Sequence, residues 1–536
     1  MSKSLRGRLL AAIFSAGFAG AVAAPAGAET LADAIALAYD SNPVLQAQRA
    51  TQRALDENYV QARSGWRPTL GLSGGINYSE TRTPRAALPP RLVDTNGDGI
   101  PDTVQFPATI SESNSASGSL SFNQPIWTGG RVAASVSAAE SDIMQGRENL
   151  RRVEAQVLGQ VVQFYVDVRR DQEALRIRQE NVAVLQRQLE ESNARFEVGE
   201  ITRTDVAQSQ ARLAAAQALL QTAEAQLAIS RANYASAVGQ NPGALAPEPS
   251  LAYLMPPTVD EAFSVAEAYS PQLRAQQFAE QASRARVAGA RAERMPQVSV
   301  RSGLAFGGPA DPWEREFFSR EFTASANVTV PLFTGGLTSS RIRQSVERNN
   351  TDRINVETQR RSVLQLVTQA WNQLLAARSN IGSTAEQVRA ARIAAEGTRQ
   401  EQQVGLRTTL DVLNAEQELR NAELSQVAAR RDEYVAAATV LSAMGRLEAR
   451  NLIPAVPQYD AKANFKALRI TWGWVPWEEP IAVVDRVVAL PPTPLPKDKP
   501  TEAAIAPGLQ PPPVVPVAAP APAAPKRTSP LDWFRK

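Results

Sequence analysis

Residues 124–130 read Gln-Pro-Ile-Trp-Thr-Gly-Gly, and residues 330–336 read Val-Pro-Leu-Phe-Thr-Gly-Gly. Proline cannot donate to a strand ladder, and paired glycines allow backbone angles closed to other residues. The string therefore describes a change of chain direction, not a reactive site. Pro125, Trp127, Gly129 and Gly130 mark one such junction, and Pro331, Phe333, Gly335 and Gly336 mark the other.

The surroundings of the two junctions repeat as well. LADAIALAYDSNPVLQAQ near the start matches VDEAFSVAEAYSPQLRAQ, and RFEVGEITRTDV matches RQEQQVGLRTTLDV, with Gly199 and Asp205 answering to Gly405 and Asp411. Late pairs lie 206 residues apart, whereas Pro43/Pro271 and Pro68/Pro296 lie 228 apart. The chain between Leu31 and Gly445 is thus a duplication whose first copy carries a loop 22 residues longer.

Each copy reads as helix, strand, long loop, strand and two helices. Leu70, Leu72, Ile76 and Tyr78 alternate in the first strand, and Leu120 and Phe122 alternate in its partner. In the second copy Val298 and Val300 open a strand, and Phe322, Ala324, Ala326, Val328, Val330 and Leu332 form a longer alternating face. Between Arg131 and Glu197 the chain has no proline, and Val161, Val168, Leu175, Val182, Leu189 and Phe196 recur every seven residues. That is a coiled-coil seam on a helix about 100 Å long. A second seam runs through Val206, Leu213, Leu220, Leu227 and Tyr234, with alanines beside it that allow close helix approach. Helices over about 43–67 and 204–238 together match the length of 131–197, and 271–295 with 410–444 match 337–403. Two short helices stacked end to end can run beside each long one. Four strands leave two unpaired edges, so a closed barrel requires several chains.

Composition narrows the chemistry. The 536 residues include neither cysteine nor histidine, which excludes disulfides, thiolate catalysis and histidine ligation. The formal charge of +3 resides in Lys3, Arg6 and Arg8, ahead of an apolar run and the small-residue stretch ending at Ala28. Residues 1–28 read as an export signal. No basic patch with interleaved aromatics points to nucleic acid, and no apolar stretch after the leader is long enough for a membrane helix.

With its duplicated P-[IL]-[WF]-T-G-G ends, duplicated VG-x-x-T-x-x-D-V turns and matched helix lengths, the chain resembles the TolC-like family of outer-membrane efflux and type I secretion channels. The resemblance implies a mixed α/β fold in which four strands per chain contribute to a trimeric twelve-stranded β-barrel, continued by a long α-helical coiled-coil tunnel in the periplasm. It implies a passive duct without cofactor or covalent step. Its partners would be two further copies of the chain, a periplasmic adaptor (membrane fusion) protein and an inner-membrane ABC or RND transporter. Outer-membrane localisation follows, with tunnel and carboxyl-terminal tail in the periplasm.

The resemblance also places the two VG turns at the periplasmic tip, where Gly199, Thr202, Gly405 and Thr408 would meet the adaptor. Thr202 or Thr204, and Thr408, are candidate helix caps, and Asp205 and Asp411 supply favourable negative charge to a first helical turn. Capping alone accounts for both aspartates. By resemblance, Asp205 and Arg407 would form a closing ion pair and Asp411 an acidic ring at the aperture. Asn414 stands where the family has a second acid, and Gln402 stands in place of an aromatic gate partner. The aperture should therefore focus cations less strongly than a double acidic ring.

The longer loop contains DTNGDGIPD, Asp94–Asp102, which reads either as a polar hairpin or as part of a calcium loop; Gln105 occupies the position where such a loop needs glutamate. The expected organisation is a signal at 1–28, repeats at 29–239 and 259–445 joined by a linker at 240–258, a periplasmic extension at 446–484 containing Trp472, Trp474 and Trp477, and a Pro/Ala-rich disordered tail at 485–536. A non-conducting exported coiled-coil scaffold is the alternative function, but it leaves the four alternating strands without a joint purpose.

Overall fold

The computed structural model describes residues 28–83, 89–105, 110–311, 316, 318–468, 470–471 and 473–487. The export signal up to residue 27, Trp472 and the tail beyond 487 lie outside the described residues.

The two long helices begin and end where the glycine brackets place them. Helix α3 spans Arg131–Glu197 and α7 spans Leu337–Gln403, 67 residues each. Their return helices are α4, Arg203–Val238, and α8, Thr409–Ala443. Ahead of each long helix stands a shorter one, α2 at Pro43–Arg63 and α6 at Pro271–Ala292, both with proline in the first turn, where a missing N–H costs nothing. These stop before the expected ends at Arg67 and Met295. Two 11-residue helices that the sequence pattern does not separate, α1 at Leu31–Ser41 and α5 at Val259–Tyr269, precede them. Helices α2 and α4 both pack along α3, while α6 and α8 pack along α7. End-to-end stacking is visible at the joints: Asn42 Nδ2 donates to the Ala237 carbonyl at 2.9 Å, and Gly445 lies against Tyr269 and Pro271. The seam residues Val161, Val168 and Tyr234 are buried in the main core, whereas Phe196, at the far end, is exposed.

Strands β1 (Thr69–Arg82), β4 (Ile110–Trp127), β5 (Gln297–Pro309) and β6 (Ser319–Thr329) form one antiparallel sheet in the order β1-β4-β5-β6. The long loop of the first copy carries its own small hairpin, β2 (Arg91–Val93) with β3 (Thr103–Gln105). At its turn Asp94 accepts hydrogen bonds from the backbone N–H groups of Asn96, Gly97 and Gly99, so the loop's first carboxylate already serves its own backbone.

Pro125 does not end its strand. Strand β4 continues to Trp127 through a register shift between Pro125 and Trp127, because proline withholds only one ladder donor and a bulge absorbs the loss. Strand β6 does stop early, at Thr329, so Val330 and Leu332 fall outside the ladder.

A third difference concerns the carboxyl-terminal segment. After α9 (Ala449–Leu452) and α10 (Ala463–Ala467), helix α11 runs from Glu478 to Val487, across the boundary expected at 484/485. Its Glu478 and Asp485 are wholly buried, so Asp485 belongs to the folded body and not to the tail.

Candidate functional site: two junctions and two tips

The register of the sheet sorts its side chains by chemistry. Leu72 faces Leu120, Leu120 faces Leu304 and Leu304 faces Phe322, a direct row across all four strands. Leu70–Phe122, Ile76–Ala116, Gly118–Phe306 and Val298–Val328 share that face, since residues of one parity point one way. One position along, Ser73 faces Ser119, and Asn123 faces both Thr69 and Arg301, with Ser325 beyond. One face is apolar and the other polar, while the outer edges of β1 and β6 carry no strand.

Below the sheet, each Thr-Gly-Gly turns the chain into a long helix by the same device. Gly130 and Gly336 are the N-caps, both at φ 84°, and Thr128 Oγ1 and Thr334 Oγ1 accept from the N–H of Val132 and Thr338 at 3.1 and 3.4 Å. The junctions differ in what surrounds them. At the first, Asp485 accepts hydrogen bonds from the N–H groups of Thr128, Gly130 and Ala133, the Thr128 hydroxyl and Trp66 Nε1. Glu478 beside it binds Arg63 and Arg67 at 2.6 and 2.8 Å. A carboxylate at a helix N-terminus meets both the free donors and the positive end of the dipole. At the second junction Leu332 and Phe333 are 92% and 90% exposed. The carboxylates that clamp the first junction carry no signal in the sequence, because their partners lie more than 350 residues away and no local pattern announces them.

The tips are near copies of each other. Gly199 and Gly405 both adopt φ 80°, which favours glycine, and the helices close with Glu200 N–H to Arg195 O and Leu406 N–H to Glu401 O, both at 2.9 Å. Thr202 and Thr408, and not Thr204, cap the next helices, and in each case the aspartate three residues on bonds back to the cap N–H, at 3.0 Å from Asp205 and 3.1 Å from Asp411. These reciprocal bonds to Thr202 and Thr408 hold both carboxyls below their ordinary range. Val198, Val404 and Leu406 are exposed around the turns.

Within the chain Asp205 and Arg407 are engaged separately: Arg407 Nε donates to Glu401 at 2.8 Å, and that bond raises its pKa. Asn414 accepts from Arg212 Nη2 at 2.9 Å, bridging α8 to α4, and Gln402 is buried. Two residues beyond Asn414, the buried Glu416 pairs with Arg399 and lies 3.7 Å from Arg420. Arg212, Arg399, Glu401, Glu416 and Arg420 are not among the residues that sequence reasoning singles out; helical spacing of Arg420 four residues after Glu416 is the only signal available.

Among the described residues no helix is long and apolar enough to cross a membrane. The chain matches the outer membrane efflux protein family over residues 34–240 and 262–446. It is 33% identical over 446 residues to the outer membrane efflux protein BepC of Brucella suis, covering 83% of this chain and 91% of that protein. It is 25% identical over 447 residues to the outer membrane protein TolC of Vibrio cholerae, covering 82% and 96%. Among solved structures, the Campylobacter jejuni CmeC outer membrane channel superposes with a TM-score of 0.65 at 15% identity, over 82% of this chain and 89% of that one, a likeness of fold.

Proposed function

The chain belongs to the outer membrane efflux protein family, the TolC-like channels of efflux and type I secretion, and on that premise we propose that it is the exit duct of a tripartite system, working as a homotrimer. Members of this family transport without catalysing a covalent step, so the energy for export comes from a partner pump.

The single observation that carries the proposal is the two-faced sheet with two open edges. An apolar face suits lipid and a polar face suits a water-filled lumen, but the edges of β1 and β6 cannot remain unpaired in a bilayer. Joining the β6 edge of one copy to the β1 edge of the next closes a barrel of twelve strands from three chains. The helices below then roll into a periplasmic tunnel. Exposed Val198, Val404 and Leu406 beside Gly199, Thr202, Gly405 and Thr408 offer an adaptor a small apolar knob on each hairpin. An inner-membrane ABC or RND transporter completes the assembly, and the efflux name of the Brucella suis relative favours efflux over protein secretion.

Closure at the tip is assigned to Asp205 of one chain and Arg407 of another, with Asp411 forming a ring of single carboxylates and Asn414 a neutral ring above it. For this pairing Arg407 exchanges its exposed bond to Glu401, a small loss for a surface pair. Density-gradient fractionation of cells followed by bilayer recording on the purified protein tests the proposal. A heat-dissociable trimer that sediments with outer membrane and conducts ions is expected; a monomer in the periplasmic fraction would instead be the coiled-coil scaffold.

A further inference from the structure

Helix α11 turns two of its acids inward, beside buried Ala482 and half-buried Ile481, and leaves two valines outward. A helix on a water-exposed surface buries its apolar stripe and turns its charges outward. Here Glu478 and Asp485 are buried to 0% exposure, while Val483 and Val484 are 57% and 53% exposed. The inward acids are all answered, by Arg63, Arg67, Trp66, Thr128 and the first N–H groups of α3. Among the described residues, Val483 and Val484 keep more than half of their surface open. The one outward acid, Glu479, is held by Arg63 at 2.6 Å.

The position of this helix is given by Gln124. Trp477 Nε1 donates to Gln124 Oε1 at 3.1 Å. In the ladder Gln124 pairs with Val300 and lies two residues from Phe122, so it belongs to the apolar face of β4, about 7 Å below the Phe122 row. The segment leading into α11 therefore sits on the outer side of the sheet, directly under its apolar belt. Exposed Ile470, Trp474 and Trp477 lie on the approach, and exposed Arg486 is stacked 5.5 Å over the Trp66 ring. Tryptophans, aliphatics and a cation at the foot of an apolar belt match the chemistry of a membrane–water boundary.

We propose that residues 473–487, a short approach followed by helix α11, form an interfacial segment that rests on the periplasmic leaflet of the outer membrane, with Val483, Val484, Trp474 and Trp477 among phospholipid headgroups and Arg486 toward their phosphates. The inference rests on the barrel reading above. Continuity with the apolar face selects lipid as the occupant. A neighbouring chain would join at the β1 and β6 edges, whereas α11 lies against β4, which is paired on both sides.

The absence of native cysteine makes the test direct. Full-length trimers carrying Val484→Cys, with Val483→Cys as a second site, are labelled with a small fluorophore and placed in phosphatidylethanolamine/phosphatidylglycerol nanodiscs. Headgroup-nitroxide lipid and aqueous iodide are then compared as quenchers, with Leu72→Cys marking the belt and Val198→Cys the distant tip. Labels on α11 should lose fluorescence to the nitroxide lipid and resist iodide, while the tip label does the reverse. If iodide quenches the α11 labels and nitroxide lipid does not, although the Leu72→Cys label responds to lipid, the interfacial helix is wrong and the barrel stands. Shielding of α11 from both quenchers would also overturn it, by seating a protein there. A Leu72→Cys label indifferent to lipid would instead remove the barrel itself.

Discussion

The Asp485 carboxylate accepts a hydrogen bond from the backbone N–H of Gly130 at 3.0 Å, tying helix α11 to the first turn of a 67-residue helix. Because Gly130 is the last residue of QPIWTGG, the carboxyl-terminal helix completes the joint between sheet and tunnel in the first repeat.

Removing that carboxylate should loosen the joint. Asp485→Ala leaves the N–H groups of Thr128, Gly130 and Ala133 and the Trp66 indole without their acceptor, at a cost of roughly 3 kcal/mol or more. Asp485→Asn keeps one acceptor oxygen and should cost less. Thermal dissociation of the purified trimer should fall in the order wild type, Asn, Ala, and equal melting of all three would contradict the clamp.

The two faces of the sheet should respond differently to the same charge. Leu120→Arg places a cation in the apolar row and should cost about 2–4 kcal/mol near the membrane midplane, read as loss of trimer from the outer-membrane fraction. Ser119→Arg, one residue away on the polar face, should assemble normally and change ion selectivity. Equal assembly of both variants would mean that the apolar face does not meet lipid.

The tip caps should be insensitive to mild acid. Asp205 and Asp411 are held below their ordinary pKa of 3.8 by Thr202 and Thr408. A lowered folded pKa contributes stability that is complete above the unfolded value and is lost as pH falls through the folded one. Amide-exchange protection of α4 and α8 first turns, corrected for intrinsic rates, should stay level from about pH 8 to 5 and fall only below the ordinary carboxylate range. Loss of protection near neutral pH would require another titrating group.

Much of this architecture is legible in the residues themselves. Paired glycines at Gly129/Gly130 and a lone one at Gly199 bracket α3, and their counterparts bracket α7, because helix ends have strong local chemistry. Alternation marks the centres of the strands, but the serine-rich start of β4 from Ile110 carries little hydrophobic signal, and the bulge at Pro125 depends on what β5 opposite can accommodate. At the tips the Thr-x-x-Asp spacing already contains the reciprocal caps. Arg212–Asn414 and Arg399–Glu416 are tertiary contacts between helices and leave no such spacing. Helix α11 is the hardest element to read, since Glu478 and Asp485 point inward and a helix judged by its charges alone looks solvent-exposed.

Single-channel conductance in planar bilayers, wild type against Arg407→Ser, asks whether the protein is a channel that Arg407 holds closed. The substitution leaves the Asp205 and Asp411 caps in place, so a change reports Arg407 itself. A low, long-lived conductance is expected for the wild-type trimer and a several-fold larger one for the variant. Folded, membrane-inserted trimers that pass no current in either form would contradict the channel, and two equal conductances would contradict closure by Arg407.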